Sequence, residues 1–443
     1  MANLLENSAL PTEETTAGSY FVSNYPPYSF WNQDAVRDAH AVLNRPPAVR
    51  SPLGVYIHIP FCRKRCHFCY FKVYTDKNAE DVERYIDAAI EEAALYAPKP
   101  FIGGRKPSFI YFGGGTPSYI SSKQLTRLAE GMKRYLPWDE AQEVAFECEP
   151  GTITEGKLQS IKDLGITRLS LGIENFDDEI LKANGRAHLS REIDRSYNFA
   201  RSIGFDQINI DLIAGMVGET PQNWKECVRR TIAMSPESVT VYQMEVPYNT
   251  TMFKEMKVFG TDVAPVASWK TKREWVAYAF SEMEKAGYTV GSAYTAVKDP
   301  SKTKFLYRDM LWQGADMIGL GVASFSHVQG THFQNDTEFE SYCNTMRTGE
   351  LPIYRALTPT DEERMIRQFI LQMKLGRVRK DYFLEKFGVD IHQRFAPQLE
   401  QLRNEGFLEL TADGLRYTRE GLLRVDQLLH RFFLPQHEPV GVK

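Results

Sequence analysis

The sequence predicts an α/β fold, a partial (β/α)6 TIM-like barrel with an N-terminal arm before it and a mostly helical, winged-helix-like domain after it. From residue 55 onward, short β-rich runs alternate with longer helical patterns, which is typical of parallel strands joined by crossover helices. Six such units occur before the pattern loosens near Tyr288. That number is too small for a closed TIM barrel. A change to mostly helical sequence follows near residue 345.

The composition is that of a globular protein. The chain has 443 residues, enough for two domains, with 43% hydrophobic and 25% charged residues. A formal charge of −4 gives no electrostatic reason to expect a nucleic-acid partner. No run approaches the ~20 apolar residues of a membrane span, and Met1–Glu6 lacks the basic start and apolar core of a signal peptide. We therefore expect a cytoplasmic protein.

The predicted arm covers residues 1–54. A polar tail leads into an aromatic stretch, Tyr20-Phe-Val-Ser-Asn-Tyr-Pro-Pro-Tyr-Ser-Phe-Trp31, where Pro26 and Pro27 disfavour helix. Such an arm is either a strap that covers one end of the barrel or a lid over an apolar substrate.

The predicted barrel covers residues 55–345. Its strand-like runs are Val55–Ile59, Ser108–Phe112, Glu143–Glu147, Arg168–Ile173, Gln207–Ile213 and Ser238–Gln243. Helical patterns between them include Ala79–Tyr96, Ser122–Tyr135, Arg191–Ile203 and Pro221–Met234. Sheets of this kind carry their chemistry at the carboxyl ends of the strands. Polar and glycine residues suited to chemistry follow those ends: Cys62, Gly113–Gly115, Glu147, Glu174 and Asp211.

The predicted C-terminal domain covers residues 346–443. Leu357-Thr-Pro-Thr-Asp-Glu-Glu363 opens a helix with a capping signal. Lys380–Phe387, Ile391–Gly406 and Phe407–Thr418 then have the pattern helix, helix, β-ribbon of a winged helix. Acidic and basic residues are mixed in this region, so we expect a cap on the barrel rather than a DNA-binding module.

Three cysteines, Cys62, Cys66 and Cys69, lie in one loop directly after the first strand. Three thiolates suit an iron–sulfur cluster with one iron left open, whereas a closed cluster or a structural zinc site wants four ligands. A zinc site completed by a distant histidine, or three buried thiols, are the alternatives. The cysteines elsewhere are scattered singly, and we expect them to be small core residues: Cys148, Cys227 and Cys343.

Other strand ends offer groups that bind a polar cofactor. In Phe112-Gly-Gly-Gly-Thr-Pro-Ser118, the glycines let the backbone approach a carboxylate or phosphate, although a plain tight turn would have the same composition. Glu147 and Asp211 can accept hydrogen bonds from an amino group or hydroxyls, and Arg186 can bind a carboxylate with two donors.

The cysteine spacing resembles that of the radical S-adenosylmethionine (SAM) enzymes. Five motifs are similar, in order, to those of the oxygen-independent coproporphyrinogen III dehydrogenases (the HemN family): Tyr56-Ile-His-Ile-Pro-Phe-Cys62, Phe112-Gly-Gly-Gly-Thr-Pro117, Phe146-Glu-Cys-Glu-Pro150, Arg168-Leu-Ser-Leu-Gly-Ile-Glu174 and Asn209-Ile-Asp-Leu-Ile213. Similarity extends to Ser23-Asn-Tyr-Pro26 and to Gly414-Leu-Arg-Tyr-Thr-Arg-Glu-Gly421, and therefore covers nearly the whole chain.

The resemblance implies a role for each motif. Cys62, Cys66 and Cys69 would ligate a 4Fe–4S cluster whose open iron holds SAM, and reductive cleavage would give a 5′-deoxyadenosyl radical. The remaining positions would bind one or two SAM molecules: Tyr56, the backbone at Phe68, Glu147, Glu174, Arg186 and Asp211 around the first, and Gly114, Gly115 and Thr116 near the second.

This chain departs from the dehydrogenases at two positions. They have a further cysteine where Phe71 stands and glutamine where Glu174 stands. The differences favour the related class C methyltransferases and cyclopropanases, in which a second SAM donates a methyl or methylene group to an unsaturated carbon. Oxidative decarboxylation of coproporphyrinogen III is the first alternative.

A haem chaperone is the second alternative. For that role the histidines of interest are His327 and His332, which we expect to be ordinary loop residues. The predicted partners are a small apolar substrate (a quinone, a tetrapyrrole or an acyl chain) and an electron donor such as flavodoxin or ferredoxin. The donor would dock at Arg63-Lys-Arg65, unless that triplet is only a solvated loop. We expect a monomer.

Overall fold

The computed structural model describes residues 20–49 and 51–438. The predicted polar tail at 1–19 and the last residues of the C-terminal domain, 439–443, lie outside the described residues. The strands are β1 (Leu53–Ile59), β2 (Phe109–Gly114), β3 (Glu143–Cys148), β4 (Arg168–Glu174), β5 (Gln207–Ala214), β6 (Ser238–Gln243), β7 (Thr289–Val290), β8 (Thr295–Val297), β9 (Asp316–Leu320), β10 (Phe325–Val328), β11 (Thr331–Asn335), β12 (Ile353–Leu357), β13 (Arg377–Arg379), β14 (Leu408–Thr411) and β15 (Gly414–Tyr417).

Helices cover the sheet and build the C-terminal region. They are α1 (Val36–Leu43), α2 (Ala79–Tyr96), α3 (Ser122–Lys133), α4 (Glu155–Asp163), α5 (Asp178–Ala183), α6 (Ser190–Ser202), α7 (Pro221–Met234), α8 (Thr251–Phe259), α9 (Trp269–Lys285), α10 (Leu306–Trp312), α11 (Phe339–Arg347), α12 (Asp361–Met373), α13 (Lys380–Phe387), α14 (Ile391–Arg394), α15 (Ala396–Asn404), α16 (Arg419–Leu423) and α17 (Val425–Leu429). No helix in the described part of the chain is long and apolar enough to cross a membrane.

The large sheet confirms the α/β partial barrel. Its strand order is β12-β11-β10-β9-β1-β2-β3-β4-β5-β6-β8-β7. All six predicted strands occur as β1–β6, and each pairs in parallel with the next. A further strand, β9, also pairs in parallel with β1, and antiparallel strands extend both edges. The carboxyl ends of β1–β6 therefore lie on one face of the molecule.

Local signals explain where the helices begin. In α2, the Asn78 side chain accepts a hydrogen bond from the backbone N–H of Asp81, and the Asp81 side chain accepts one from the backbone N–H of Asn78, which is a capping box. The single helix predicted over 391–406 is wrong, because the chain breaks at Phe395 and restarts as α15 with Pro397 in its first turn. Proline has no N–H to continue the preceding helix.

The described part of the arm packs against the C-terminal region. Tyr25 is fully buried in a core that this region builds. Val22 donates its N–H to Asp426 Oδ1 at 2.8 Å, and its carbonyl accepts a hydrogen bond from Lys374 Nζ at 2.7 Å. These contacts are those of a strap, and a role as a lid stays a prediction.

The two predicted domain limits, residues 54 and 345, also stay predictions. Helix α1 precedes the first limit and packs its buried face on the large core, and β12 follows the second limit and pairs with β11. The predicted β-ribbon occurs as β14 and β15, which β13 joins to form a separate three-stranded sheet.

His327 and His332 are strand residues, so the expectation of loop histidines is wrong. They face each other across β10 and β11, are both buried, and have Nδ1 atoms 3.0 Å apart. Gln329 and Gly330, both with positive φ, make the tight turn between the strands. The stretch that looked like a loop is therefore a short hairpin.

Candidate active site

The three cysteines of the candidate cluster loop follow β1 directly. Cys62 is buried and Cys66 and Cys69 are partly exposed, and all three are free thiols. The loop is held to its neighbours by backbone hydrogen bonds, from Cys62 N to Tyr74 O at 3.0 Å and from Cys69 N to Cys66 O at 3.2 Å. The thiols are therefore positioned by the fold.

Two arginines of the basic triplet brace this loop. Arg63 donates to the carbonyls of Gly151 and Ala187, and Arg65 donates to the carbonyl of Cys69 at 3.0 Å. Lys64 between them is exposed. Most of the triplet is thus engaged in holding the cluster loop in place.

The glycine turn after β2 lies against the first cysteine. Thr116 Oγ1 donates to Cys62 Sγ at 3.3 Å. A Cβ atom on Gly115 would lie 3.0 Å from the same sulfur and 2.9 Å from the carbonyl oxygen of Phe61. Only glycine allows this close approach of the turn to the cluster loop.

Arg186 connects the cluster loop to the next part of the site. Its NH1 donates to Cys66 Sγ at 3.2 Å and its NH2 to the carbonyl of Gly172 at 2.6 Å. The guanidinium also lies 3.7 Å from the carboxylate of Glu174. Arg186 therefore places a fixed positive charge directly beside Cys66.

The thiols fit the cluster better than they fit a single ion. Burial, with smaller contributions from the neighbouring Cys69 and Cys66, raises the pKa of Cys62 to about 12. In residues 20–49 and 51–438, no three His, Cys, Asp or Glu side chains are grouped so as to hold one metal ion. A four-iron cluster does not need such a group, because each thiolate binds a different iron.

Three carboxyl groups face a common space at the ends of β3, β4 and β5. They are Glu147, Glu174 and Asp211, and we call them the lumen carboxyls. Burial and, to a smaller extent, the charge of Asp211 raise the pKa of Glu147 to about 7. Burial likewise raises the pKa of Glu174 to about 7 against the lowering effect of Arg186. Three carboxyl groups held together with fewer cations beside them indicate that a cationic or donor-rich ligand completes the site.

Neighbouring side chains fix two of these carboxyls. Tyr111 donates to Glu147 Oε1 at 2.5 Å, and Ser170 and Asn209 each donate to Asp211 at 2.8 Å. The sequence reasoning did not select these three residues. Residues two apart on a strand share a face, so Asn209 was detectable beside Asp211, and Tyr111 beside Gly113.

Tyr56 lies on β1 and belongs to a group of stacked rings. Its ring stacks on Tyr111 with centroids 5.9 Å apart, and Tyr111 stacks on Tyr307 at 4.2 Å. The Tyr56 hydroxyl pairs with His58 Nδ1 at 3.1 Å. These rings form one wall beside the lumen carboxyls. Burial raises the pKa of Tyr56 well above its usual value, and the nearby charge of Glu147 is the second cause.

Glu174 has an unusual backbone. Its φ is +67°, and the pairing of β4 with β5 shifts register between Gly172 and Glu174. A positive φ is uncommon for a residue with a side chain and is frequent at functional sites. The bulge turns the Glu174 carboxyl towards Arg186 and the other lumen carboxyls.

Several polar atoms here are buried without a partner. In the described part of the chain they include His58 Nε2, Arg186 Nε and Gln243 Oε1. Buried donors and acceptors are normally paired, so atoms of this kind mark places where a ligand supplies the partner. Together with the thiols, they fit a polar cofactor held between the cluster loop and the lumen carboxyls.

The structure thus brings the predicted site residues together. One group surrounds the thiols (Cys62, Cys66, Cys69, Gly115, Thr116 and Arg186), and another surrounds the lumen carboxyls (Tyr56, Gly114, Glu147, Glu174 and Asp211). Phe68 lies apart, where its ring packs on an apolar cluster that includes Met216, Met244 and Met252. The individual binding roles remain predictions.

Comparison with known families identifies the two parts of the chain. Residues 56–231 match the Radical SAM superfamily, and residues 360–424 match the HemN C-terminal domain. The first match begins at Tyr56 and includes the cluster loop. The chain is a HemN-like radical SAM enzyme. Enzymes of this superfamily use a 4Fe–4S cluster and SAM, which agrees with the predicted cofactors.

Known relatives of this radical SAM enzyme match over most of its length. The heme chaperone HemW of Bacillus subtilis is 28% identical over 86% of this chain and 98% of its own. The oxygen-independent coproporphyrinogen III oxidase of Helicobacter pylori (strain J99) is 28% identical over 91% of this chain and 90% of its own. The solved structure of coproporphyrinogen III oxidase (HemN) from Escherichia coli has a TM-score of 0.79 at 22% identity, covering 95% and 98% of the two chains, which shows the shared fold.

Proposed function

We propose that this enzyme transfers a methyl or methylene group from a second SAM molecule to an unsaturated carbon of an apolar substrate. The observation that carries the proposal is the character of the space beside the lumen carboxyls. It has aromatic walls and carboxyl groups, and its cations are already engaged within the protein. Such a space suits the cationic SAM and an uncharged, planar or chain-like second reactant.

The aromatic walls extend from the SAM side towards the cluster loop. Tyr242 is 41% exposed, yet its pKa is raised well above its usual value by burial and by Asp211, Glu147, Tyr70 and Glu174. A ring both exposed and closely surrounded lines a concave space. Tyr70 faces the same space from the cluster loop, and its ring lies 4.5 Å from that of Phe71.

The cations that act on the lumen carboxyls, Arg168 and Arg186, have partners of their own, and so do the buried lysines Lys272 and Lys374. Arg168 donates to Gln207 and lies over the Phe305 ring, and Arg186 bonds to Cys66 and Gly172. Lys272 donates to the carbonyl of Met244, and Lys374 pairs with Asp426. A substrate with several carboxylates would have to displace these contacts. The charge pattern therefore favours a substrate without carboxylates.

The chain's own residues bind the cluster and SAM and orient them. When bound, the cluster and SAM supply one-electron chemistry that yields a carbon-centred radical. Cys62, Cys66 and Cys69 hold the cluster, and Arg186 balances its thiolate charge. Glu147 and Asp211 accept hydrogen bonds from amino and hydroxyl groups of SAM. The aromatic walls exclude water from the reacting atoms.

Anaerobic turnover with SAM carrying a labelled methyl group tests the proposal. We expect the label in a product formed from a quinone, a tetrapyrrole or an unsaturated acyl substrate, and none with Cys66→Ala under the same conditions. SAM cleavage without label in any product would contradict group transfer.

Oxidative decarboxylation of coproporphyrinogen III is the second candidate, favoured by the likeness to the Helicobacter pylori oxidase over 90% of that protein. It predicts release of carbon dioxide from coproporphyrinogen III and rescue of an anaerobic haem auxotroph. Absence of both would exclude it. The two candidates differ in whether the substrate loses or gains carbon.

Haem transfer is the third candidate, supported by the match to the Bacillus subtilis chaperone. His332 lies under the ring of Trp31, with centroids 5.4 Å apart and planes 14° apart, so the histidine pair is covered by the arm. Haem titration that leaves the Soret band unshifted would exclude this role.

The proposed function also requires an electron donor for the cluster. We infer that an acidic flavodoxin or ferredoxin reduces the cluster near Lys64, an exposed cation of the triplet that is not engaged in bracing the loop. We further infer a monomer that works in the cytoplasm. Reduction rates that fall with rising salt would support the electrostatic docking of the donor.

A further inference from the structure

Exposed apolar residues concentrate on the site face of the molecule. Six of the twelve exposed large hydrophobic side chains in the described residues belong to the cluster loop or to residues 244–263, which follow β6. Apart from Tyr70 (41% exposed), they are Phe71 (49%), Tyr248 (80%), Val258 (70%), Phe259 (72%) and Val263 (47%). We call these five residues the site-face patch. Patches of this kind on soluble domains mark binding surfaces.

The patch is built on a helix anchored to the cluster loop. Met252 at the start of α8 donates its N–H to the carbonyl of His67 at 3.0 Å, and Asn249 donates to the carbonyl of Tyr70 at 2.7 Å. The inner side of α8 packs Met252 and Met256 into the apolar cluster that also holds Phe68. Its outer side is therefore fixed in place with its apolar residues exposed.

Cations accompany the apolar side chains. Lys254 and Lys257 are exposed on α8, as is Lys64 in the cluster loop, and no ion pair involves them in the described part of the chain. Glu255 and Asp262 are also exposed on this segment, so the local net charge is only weakly positive. Exposed Val and Phe beside Lys, with Tyr at the edge, are typical of a surface that lies in a lipid headgroup layer.

One end of the patch, Phe71, lies at the rim of the space beside the lumen carboxyls. Tyr70 and Phe71 stack at the rim, and Tyr70 raises the pKa of Tyr242, which lines that space. An apolar substrate that enters past these rings would cross the patch first. A membrane-facing entrance spares such a substrate any passage through water.

We propose that the site face binds the surface of an anionic lipid bilayer through the site-face patch, and that the enzyme takes a membrane-dissolved substrate from it. The choice of substrate rests on the proposed function, whereas bilayer binding stands on the patch alone. The protein lies on the membrane and does not span it. Insertion of Val258 and Phe259 supplies most of the affinity, and Lys254 and Lys257 add attraction to anionic headgroups.

Co-sedimentation of the full-length, cluster-loaded protein with vesicles, without SAM or substrate, tests bilayer binding. We expect binding to vesicles of phosphatidylcholine with phosphatidylglycerol, and about a tenfold weaker partition for Val258→Asp. The matched control is Val49→Asp, because Val49 is equally exposed at 70% but precedes β1, at the opposite end of the strands. Lys254→Glu should weaken binding to anionic vesicles and leave binding to neutral ones unchanged.

Several outcomes would overturn the proposal. The wild-type protein could fail to bind vesicles, or vesicle binding could fall equally in Val258→Asp and Val49→Asp. The patch could also prove to bind another partner. The last would show as slower cluster reduction by flavodoxin, or a lost dimer, in Val258→Asp with vesicle binding intact. Methyl transfer to detergent-dissolved substrate should be the same in Val258→Asp and wild type. Vesicle binding without label in any product would instead count against the proposed function and leave the membrane surface standing.

Discussion

Two sets of buried charges in this protein are arranged in opposite ways. Where the arm meets the C-terminal region, Lys374 Nζ lies 2.7 Å from Asp426 Oδ1 and also donates to the carbonyl of Val22. Tyr294 donates to the second oxygen of Asp426. We call these groups the arm network. Every charge in it has a partner of the opposite sign or a strong hydrogen bond, which is how folds tolerate buried ions.

The lumen carboxyls accept hydrogen bonds from Tyr111, Ser170 and Asn209 but have fewer cations than carboxyl groups beside them. Arg186 lies 3.7 Å from Glu174, and it serves Cys66 and Gly172 as well. The comparison teaches that the arm network is complete within the fold, whereas the active site is complete only with its cofactors. Buried charge that the fold leaves unpaired is thus a marker of function in this molecule.

Removing one cluster ligand should give the largest effect. For Cys66→Ala we expect loss of iron and sulfide from the anaerobically purified protein and no detectable SAM cleavage, because two thiolates cannot hold the cluster in place of three. Iron analysis and the visible absorption spectrum measure this.

Cys343→Ala is the control, since Cys343 is a buried core residue far along the chain from the cluster loop. It should retain iron. Full iron content in Cys66→Ala would show that the cluster loop is not the ligand set.

Breaking the arm network should give the next largest effect. Lys374→Met leaves Asp426 buried without its cation, and we expect the free energy of unfolding to fall by about 3 kcal/mol. Urea denaturation of the cluster-loaded protein measures the change. Cleavage of the arm by a protease should also become faster, since the carbonyl of Val22 loses the hydrogen bond from Lys374.

The matched control is Lys285→Met. Lys285 also pairs with an acidic residue, Glu282, but its side chain is 69% exposed. Exposed ion pairs contribute little, so the midpoint should stay unchanged. Equal stability of both lysine variants would mean that the arm network is not the anchor that its geometry indicates.

The sequence was sufficient to predict the parallel half of the sheet and its site. Strands β1–β6 are recognisable in the sequence as short apolar runs between long helical patterns. Because the carboxyl ends of parallel strands share one edge of the sheet, Glu147 and Asp211 can be placed together without any knowledge of contacts. The cluster loop is local in sequence, so its spacing alone indicated an open-iron cluster.

The parts that the sequence did not predict depend on distant partners. Strand β9 is five residues long and joins β1 across more than 250 residues of chain, which no local pattern reports. The break at Phe395, by contrast, has a local signal in Pro397, which the prediction missed because the residues on both sides favour helix. Ser170 was missed because its role appears only when β4 pairs with β5.

The smallest expected effect is a stabilisation, whereas most substitutions lower the free energy of unfolding. Glu174→Gln removes one of the lumen carboxyls, and it replaces the residue by the one found in the dehydrogenases. No hydrogen bond to the Glu174 carboxyl is lost among those described here, since its contact is the 3.7 Å approach of Arg186. We expect the cluster-loaded, SAM-free protein to gain about 1 kcal/mol in free energy of unfolding above pH 7.

The pH dependence identifies the cause of that gain. The folded pKa of Glu174, about 7, lies above the usual value of 4.5, so the folded state holds a proton that the unfolded state has released between these two values. Stability therefore falls as pH rises through this window, and the wild-type protein should lose stability from pH 5 to pH 7 more steeply than Glu174→Gln. Because the variant also removes a charge that raises the pKa of its neighbours, its whole profile should be flatter. Parallel profiles for the two proteins would show that Glu174 is already balanced by Arg186, and the contrast between the arm network and the lumen carboxyls would then rest on Glu147 and Asp211 alone.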